Sequence, residues 1–162
     1  MKNIAFTLLA VFSLGTNAQV LDMDIDIDKG TLNLSFSDSI NTPDISYTKP
    51  LNCNAELVID DNVDAIKIYH SGSHCSEGYK ITMVLPTHLS NTEVKLKNGM
   101  IDFSDLTGVK KLTSLAKTGM ISATNPGVKI SRTPDYAGAI AEYSASGNTN
   151  VNLEVESGMI TL

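Results

Sequence analysis

The chain has 162 residues and a formal net charge of −6, with 18 acidic side chains against 12 basic ones. This length fits one domain with a buried core, and the acidic balance argues against binding to nucleic acid or to anionic membrane surfaces. Aromatic residues make up only 6% and tryptophan is absent, which disfavours a base-stacking or polyproline-binding surface.

The first 18 residues have the pattern of a secretory signal peptide. Lys2 gives a basic start, Ile4 to Leu14 is an uncharged and mostly apolar run, and Ala18 is a small residue at a suitable cleavage point. The pattern predicts removal of residues 1–18, which leaves 19–162 as a single domain of an exported protein. A membrane span needs about 20 apolar residues, so the run is too short to be one, and no later stretch is predicted to cross a membrane.

The two cysteines, Cys53 and Cys75, follow this leader. In an oxidising compartment an even pair is typical of a disulfide, which would stabilise the domain by about 3 kcal/mol. The spacing matches neither a C-x-x-C redox motif nor a zinc-binding pattern. We therefore predict that Cys53 and Cys75 are bridged.

Strand patterns dominate the first half of the chain. Apolar residues alternate with aspartates from Leu21 to Ile27, and Thr31 to Phe36 alternates in the same way. Each segment predicts a strand with one buried and one solvated face. Residues 37–50 contain two prolines and many small polar residues, which predicts a loop. Three further strands are predicted, at residues 55–59, 65–69 and 79–85.

The second half, most evidently residues 79–162, repeats a small-Gly-x-Ile unit. Four copies centre on Gly99, Gly119, Gly138 and Gly158, which are almost evenly spaced along the chain, and the third copy is degenerate. A fixed period of about 20 residues marks a repeat architecture. The segment 106–117 contains a glycine and several Thr and Ser residues, so we expect it to be irregular or extended rather than helical.

Two geometries satisfy this repeat. In a coil, each glycine marks a corner at which the chain bends and the inward face is reset. In a hairpin, Asn98-Gly99 forms a type I′ turn that pairs 94–97 with 100–103. The even spacing favours an all-β, β-helix or solenoid-like coil with repeats of about 20 residues, and an antiparallel β-sandwich or hairpin meander is the alternative. The coil predicts one buried column of isoleucines: Ile101, Ile121, Ile140 and Ile160.

The repeated units resemble those of bacterial putative adhesin domains of unknown function, which include the head domain named GIN. They read Asn-Gly-Met-Ile at 98–101, Thr-Gly-Met-Ile at 118–121 and Ser-Gly-Met-Ile at 157–160. The resemblance covers 79–162 and, by strand pattern alone, 20–36. It implies a β-helix-like, exported bacterial protein without enzymatic activity, and it supplies no catalytic residues. The cysteine pair and the degenerate third copy depart from the pattern.

The aspartates of the first strand are a candidate calcium site. Calcium prefers several carboxylate oxygens, and this segment supplies Asp22, Asp24, Asp26 and Asp28. However, a calcium loop of the EF-hand type needs glycine at its sixth position, where this chain has Ile27. The alternation instead favours a strand with a solvated acidic face, which also protects a sheet edge against aggregation.

Two other pairs of residues could carry chemistry. His70 and His74 have the spacing of a helical metal pair, but the segment between them contains Gly72 and two serines, which favours a polar loop. Asp102 and Asp105 could act as the paired acids of a sugar hydrolase, yet two neighbouring acids are ordinary in an acidic chain. We predict no catalytic, cofactor or metal site.

These observations predict an exported, non-enzymatic binding module of the adhesin type, in the periplasm, secreted or at the bacterial cell surface. Its expected partner is a protein or a polysaccharide. A structural, pilin-like subunit is the alternative, and a polysaccharide-active enzyme is the third hypothesis. The last repeat runs into Leu162 without a polar cap, so we expect the C-terminal strand 151–162 to be covered by the strand at 21–27, by another protein, or by a second copy in a homo-oligomer.

Overall fold

The computed structural model describes residues 6–9, 20–27, 29–51, 53, 55–62, 65–71, 78–135 and 137–162. Within these ranges the secondary structure consists of strands, and no helix is long and apolar enough to cross a membrane. The strands are β1 (Phe6–Leu9), β2 (Val20–Asp26), β3 (Gly30–Ser37), β4 (Asp44–Thr48), β5 (Glu56–Asn62), β6 (Ala65–Ser71), β7 (Tyr79–Pro86), β8 (Asn91–Asp102), β9 (Val109–Ser122), β10 (Lys129–Arg132), β11 (Ala139–Ser144) and β12 (Thr149–Thr161).

The strands form one mixed sheet that does not close on itself. The main order is β1-β4-β7-β3-β8-β12-β9-β11-β10, while β2 pairs with β6 and β8, and β5 pairs with β6. The central pairs β2–β8, β3–β8, β8–β12 and β12–β9 are parallel, and the outer pairs β4–β7, β5–β6, β9–β11 and β10–β11 are antiparallel. The all-β class is therefore confirmed. The solenoid is not confirmed, and a sandwich or meander is compatible with this sheet.

Three long strands, β8, β9 and β12, bend at glycine. Gly99, Gly119 and Gly158 lie in register and have φ angles of 134°, 139° and 147°. Before the bend, β8 buries Val94 and Leu96, and after it the strand buries Ile101. The inward face thus moves from even to odd positions, as the predicted corner requires. The alternative geometry, a hairpin at Asn98-Gly99, is not formed, because Asn91–Asp102 is one continuous strand.

The repeats stack in register but out of chain order. Ile160 of β12 lies between Ile101 of β8 and Ile121 of β9, and all three side chains are buried. The predicted fourth member of the column is wrong, because Ile140 is only partly buried and lies opposite Leu115 in an antiparallel pair. The chain reverses direction before β11, so the inward positions of this strand fall on its alanines instead.

Strand predictions in the first half are confirmed, with one omission. The segments predicted at 21–27, 31–36, 55–59, 65–69 and 79–85 fall on β2, β3, β5, β6 and β7, and the 106–117 segment is extended from Val109. The predicted loop at 37–50 is wrong for Asp44–Thr48, which forms β4. This strand pairs with β7 and buries Ile45, and Pro43 precedes it without interrupting its hydrogen bonds.

The predictions made for the two ends of the chain have different outcomes. The predicted signal peptide lies largely outside the described residues, and its removal stays a prediction; its residues Phe6–Leu9 pair antiparallel with β4. Both edges of β12 are paired within the chain, so a second copy cannot add a strand to β12, and the predicted homo-oligomer stays a prediction. Ile160 and Leu162 are fully buried, and the strands paired with β12 are β8 and β9, not the strand at 21–27.

Two buried hydroxyls, those of Thr92 and Ser114, have no hydrogen-bond partner among the described residues. An unpaired buried hydroxyl costs about 1–3 kcal/mol, so Thr92→Val, which keeps the shape and removes the hydroxyl, should raise the free energy of unfolding by about 1 kcal/mol. Urea denaturation measures this difference. In contrast, Thr149→Val should destabilise, because the Thr149 hydroxyl donates to the Thr87 carbonyl at 3.2 Å. If Thr149→Val stabilised the protein and Thr92→Val destabilised it, the Thr92 hydroxyl could not be the unpaired one and the Thr149 hydroxyl the bonded one.

Candidate functional site

The outward side chains of four parallel strands form a charged face. We define it by Asp24 and Asp26 on β2, Lys95 and Lys97 on β8, Lys117 on β9, and Glu154 and Glu156 on β12. The sheet register places Lys95 between Asp24 and Glu154. Alternate residues of a strand share one face, and among these seven side chains the sign of the charge changes from each strand to the next. Glu93 of β8 departs from this alternation, because it lies on the same face as Lys95 and pairs with it at 2.7 Å. The strand pairing therefore builds a grid of opposite charges from residues far apart in the chain.

Ion pairs connect neighbouring strands of the charged face. The Lys97 ammonium lies 3.1 Å from an Asp26 carboxylate oxygen, and the Lys117 ammonium lies 2.6 Å from Glu154 and 3.9 Å from Glu156. The lysine side chains of these pairs are about half exposed. Exposed ion pairs typically contribute only about 0–1 kcal/mol to stability, so the core, and not this grid, holds the fold together.

A groove of about 250 Å³ crosses the charged face between β2, β8 and β12. Its lining consists of six residues of the charged face, two from each of those strands, together with Ile25 and Leu96. Pockets for drug-sized ligands usually have about 300–1,000 Å³ and mostly apolar walls. This groove is smaller and more strongly charged than such pockets.

Two lysines of the charged face, Lys95 and Lys117, are held in their protonated form by neighbouring carboxylates. A hydrogen bond to Glu93 and the charge of that carboxylate raise the pKa of Lys95, and the same two effects from Glu154 raise the pKa of Lys117. A nucleophilic lysine requires the opposite change, a lowered pKa. Lys95 and Lys117 therefore present fixed positive charges on the charged face.

The structure gives the first-strand aspartates partners of opposite charge. Asp24 and Asp26 are exposed, as the alternation predicts, and Asp24 lies opposite both Lys67 and Lys95. The Asp22 side chain and Asp28 lie outside the described residues. In the described part of the chain, no three His, Cys, Asp or Glu residues are grouped so that they could hold a metal ion. The described aspartates thus belong to the charged face.

The other two predicted pairs are not brought together into a described site. His70 lies on β6, and His74 is outside the described residues. Asp105 accepts hydrogen bonds from Thr107, including its backbone N–H at 3.0 Å, and these bonds lower the pKa of Asp105. A general acid for sugar hydrolysis needs a raised pKa. Asp105 therefore stabilises the turn that precedes β9. Asp102 is the last residue of β8.

Cys53 is buried beside Tyr79, whose hydroxyl lies 3.5 Å from the Cys53 sulfur and donates to the Ala55 carbonyl at 3.2 Å. Cys75 lies outside the described residues, so its bridge to Cys53 stays a prediction. We expect no titratable thiol in the denatured, unreduced protein, and a loss of about 3 kcal/mol of stability on reduction. A thiol titration before and after reduction checks this, and two free thiols before reduction would contradict it.

The sequence held a signal for the charged face that the strand-by-strand interpretation missed. Lys95 and Glu154 occupy the same place in their repeated units, each four positions before the glycine, Gly99 or Gly158. Two copies that stack in parallel through their glycines must therefore also place Lys95 against Glu154. Alignment of the outermost repeats by charge, and not only by apolar residues, would have revealed this pairing.

No protein-family model matches the chain, so the resemblance to the GIN head domain is not confirmed, and no curated protein matches it. Among solved structures, a putative cell adhesion protein from Clostridium sporogenes is similar with a TM-score of 0.46 and 13% identity, over 99% of this chain and 98% of that chain. A putative adhesin from Bacteroides fragilis has a TM-score of 0.41 and 11% identity, over 99% and 96%.

A putative adhesin from Parabacteroides merdae is also similar, with a TM-score of 0.43 and 12% identity. The match covers 99% of this chain but 56% of that one, so the chain spans about half the length of this relative. Similarity at this level identifies neither a function nor a ligand.

Proposed function

We propose that this protein is an exported, non-catalytic binding module of the adhesin type, which contacts its partner through the charged face. The observation that carries the proposal is the grid of alternating charges on β2, β8, β12 and β9. The grid is exposed except for the partly buried Glu154, contributes little to stability and is displayed on parallel strands. Such a surface favours a partner with complementary charges, because electrostatic complementarity sets association rate and specificity.

The chemistry of the charged side chains supports binding over catalysis. The raised pKa values of Lys95 and Lys117 keep both lysines protonated, and the lowered pKa of Asp105 keeps that carboxyl ionised. Acid–base and nucleophilic catalysis require pKa values moved towards neutrality. The shape of the groove favours an extended surface or chain as the partner, which fits a protein or a polysaccharide that carries charges of both signs.

Adhesion of protein-coated beads tests this proposal. Beads carrying the exported protein are washed over immobilised matrix proteins and charged polysaccharides at low and at high salt. We expect retention on at least one surface, and we expect salt to weaken it because exposed charges are screened. Lys95→Glu combined with Lys97→Glu should reduce retention by about tenfold, since it replaces attraction with repulsion at the centre of the grid.

The matched control is Lys80→Glu combined with Lys110→Glu, which makes the same change in net charge at exposed positions outside the charged face. This control should retain beads as the unaltered protein does. If both double variants lost bead retention equally, binding would depend on net charge alone. That result would contradict a specific role of the charged face. Release of sugar products from any polysaccharide during the assay would contradict the non-catalytic part of the proposal.

A further inference from the structure

In the described part of the chain, the half of the sheet that carries the charged face ends in two strands, β5 and β10, that are paired on one side only. Among the described strands, β5 pairs only with β6, and β10 pairs only with β11. A free edge presents a row of backbone N–H and C=O groups that can accept another strand. The two edges lie at opposite ends of the path β5-β6-β2-β8-β12-β9-β11-β10, so this half of the described sheet offers two separate pairing surfaces.

These two edges carry opposite charges. The β5 sequence Glu-Leu-Val-Ile-Asp-Asp-Asn contains three acidic residues and no basic one, whereas β10, Lys-Ile-Ser-Arg, contains two basic residues and no acidic one. Like charges placed directly opposite destabilise a strand pair, and opposite charges stabilise it. Pairing of β5 with β5, or of β10 with β10, is therefore disfavoured, while pairing of β10 with β5 is favoured.

The alternating charges of the sheet reach the β5 edge and stop there. One cross-strand row runs, in order, through Asp60, Lys67, Asp24, Lys95 and Glu154. Its last member at the free edge, Asp60, is acidic and exposed. A lysine beside Asp60 would continue the alternation, and the opposite edge strand supplies an exposed lysine, Lys129.

Apolar side chains also remain uncovered at both edges. Ile130 of β10 lies opposite the fully buried Ala141, so it is on the core side of the sheet, yet 46% of it is exposed. Ile59 of β5 packs against the core but is only partly buried. Contact between these two isoleucines would remove apolar surface from water at each edge.

Strand direction and register allow both contacts at once. β5 runs antiparallel to β6 and β2, whereas β10 runs in the same direction as β9 and β12. Two copies in the same orientation therefore place β10 antiparallel to β5. If the two sheets join with their core faces on the same side, Ile130 can lie opposite Ile59. The same register then places Lys129 opposite Asp60.

We propose that copies of this protein assemble head to tail, with β10 of one copy added to β5 of the next in a continuous sheet. A heterologous contact of this kind leaves one free edge at each end, so it extends into an open chain or a ring instead of stopping at a dimer. Assembly repeats the charged face at regular intervals, which would multiply weak contacts with a polymer or a surface. The assembly needs no ligand, so it stands or falls independently of the proposed binding function.

Sedimentation velocity of the exported protein across a concentration series tests the assembly. At low salt we expect species larger than a dimer that grow with concentration, and at high salt a shift towards monomer. Lys129→Glu alone and Asp60→Lys alone should each weaken association by about tenfold, because each places like charges opposite one another. The double variant with both substitutions, and an equimolar mixture of the two single variants, should each restore assembly because the pair is again of opposite sign.

Charge-matched controls are Lys110→Glu and Asp44→Lys, which alter exposed residues outside β5 and β10 and should leave assembly unchanged. A protein that is monomeric at every concentration in low salt would overturn the proposal. Assembly that survives both single reversals, or that the double variant and the mixture fail to restore, would overturn the pairing of β10 with β5. Circular dichroism of each variant confirms that the fold is retained.

Discussion

Gly158→Ala should lower the free energy of unfolding by about 3 kcal/mol or more, or prevent folding. Gly158 has a φ of 147°, which L side chains rarely adopt, and a Cβ atom there would lie 1.8 Å from the Gly99 carbonyl oxygen. Because β12 lies between β8 and β9, the clash could be relieved only by moving two strands of the sheet. Urea denaturation followed by circular dichroism measures the change.

Gly108→Ala is the matched control for this prediction. Gly108 also has a positive φ, of 80°, but the nearest atom to an added Cβ is the Thr87 methyl carbon at 3.6 Å. Only the backbone strain should remain, which costs about 1–2 kcal/mol. Equal losses in the two variants would show that the close approach of neighbouring strands at the glycine row does not matter for stability.

Ile160→Ala should cost about 2–5 kcal/mol, the range for truncation of a fully buried isoleucine. Ile160 is 0% exposed and lies between Ile101 and Ile121 in the centre of the parallel strands, so the cavity would be enclosed on both sides. The same denaturation experiment measures the loss. The change in stability then reports directly on the stacking of the repeated units.

Ile140→Ala provides the comparison, since this isoleucine holds the same place in the repeated unit but is only partly buried on β11. Its truncation should cost less than about 1.5 kcal/mol, because part of the side chain is already in contact with water and less apolar surface is lost from the core. A sequential coil of four equivalent copies would instead give similar losses at both positions. That result would contradict the stacking order β8-β12-β9.

The local pattern of the sequence determined which residues form strands and which face of each strand is buried. Alternation in the segment around Asp24 and Asp26 placed these aspartates on the solvated face, because the side-chain period of a strand is two. The glycine of each stacked repeat marked the bend at which the inward face is reset. Only glycine tolerates both the positive φ angles at these bends and the close approach of the neighbouring strands.

The tertiary structure alone decided which strands became neighbours. Alternation specifies a face but not an edge, so the same pattern is compatible with either a sequential coil or the observed order β8-β12-β9. The chain reversal before β11 removed Ile140 from the isoleucine column, and pairing with β7 turned a proline-flanked segment into β4. The charged face has the same origin, because Lys95 meets Asp24 and Glu154 only once long-range parallel pairing has set the register.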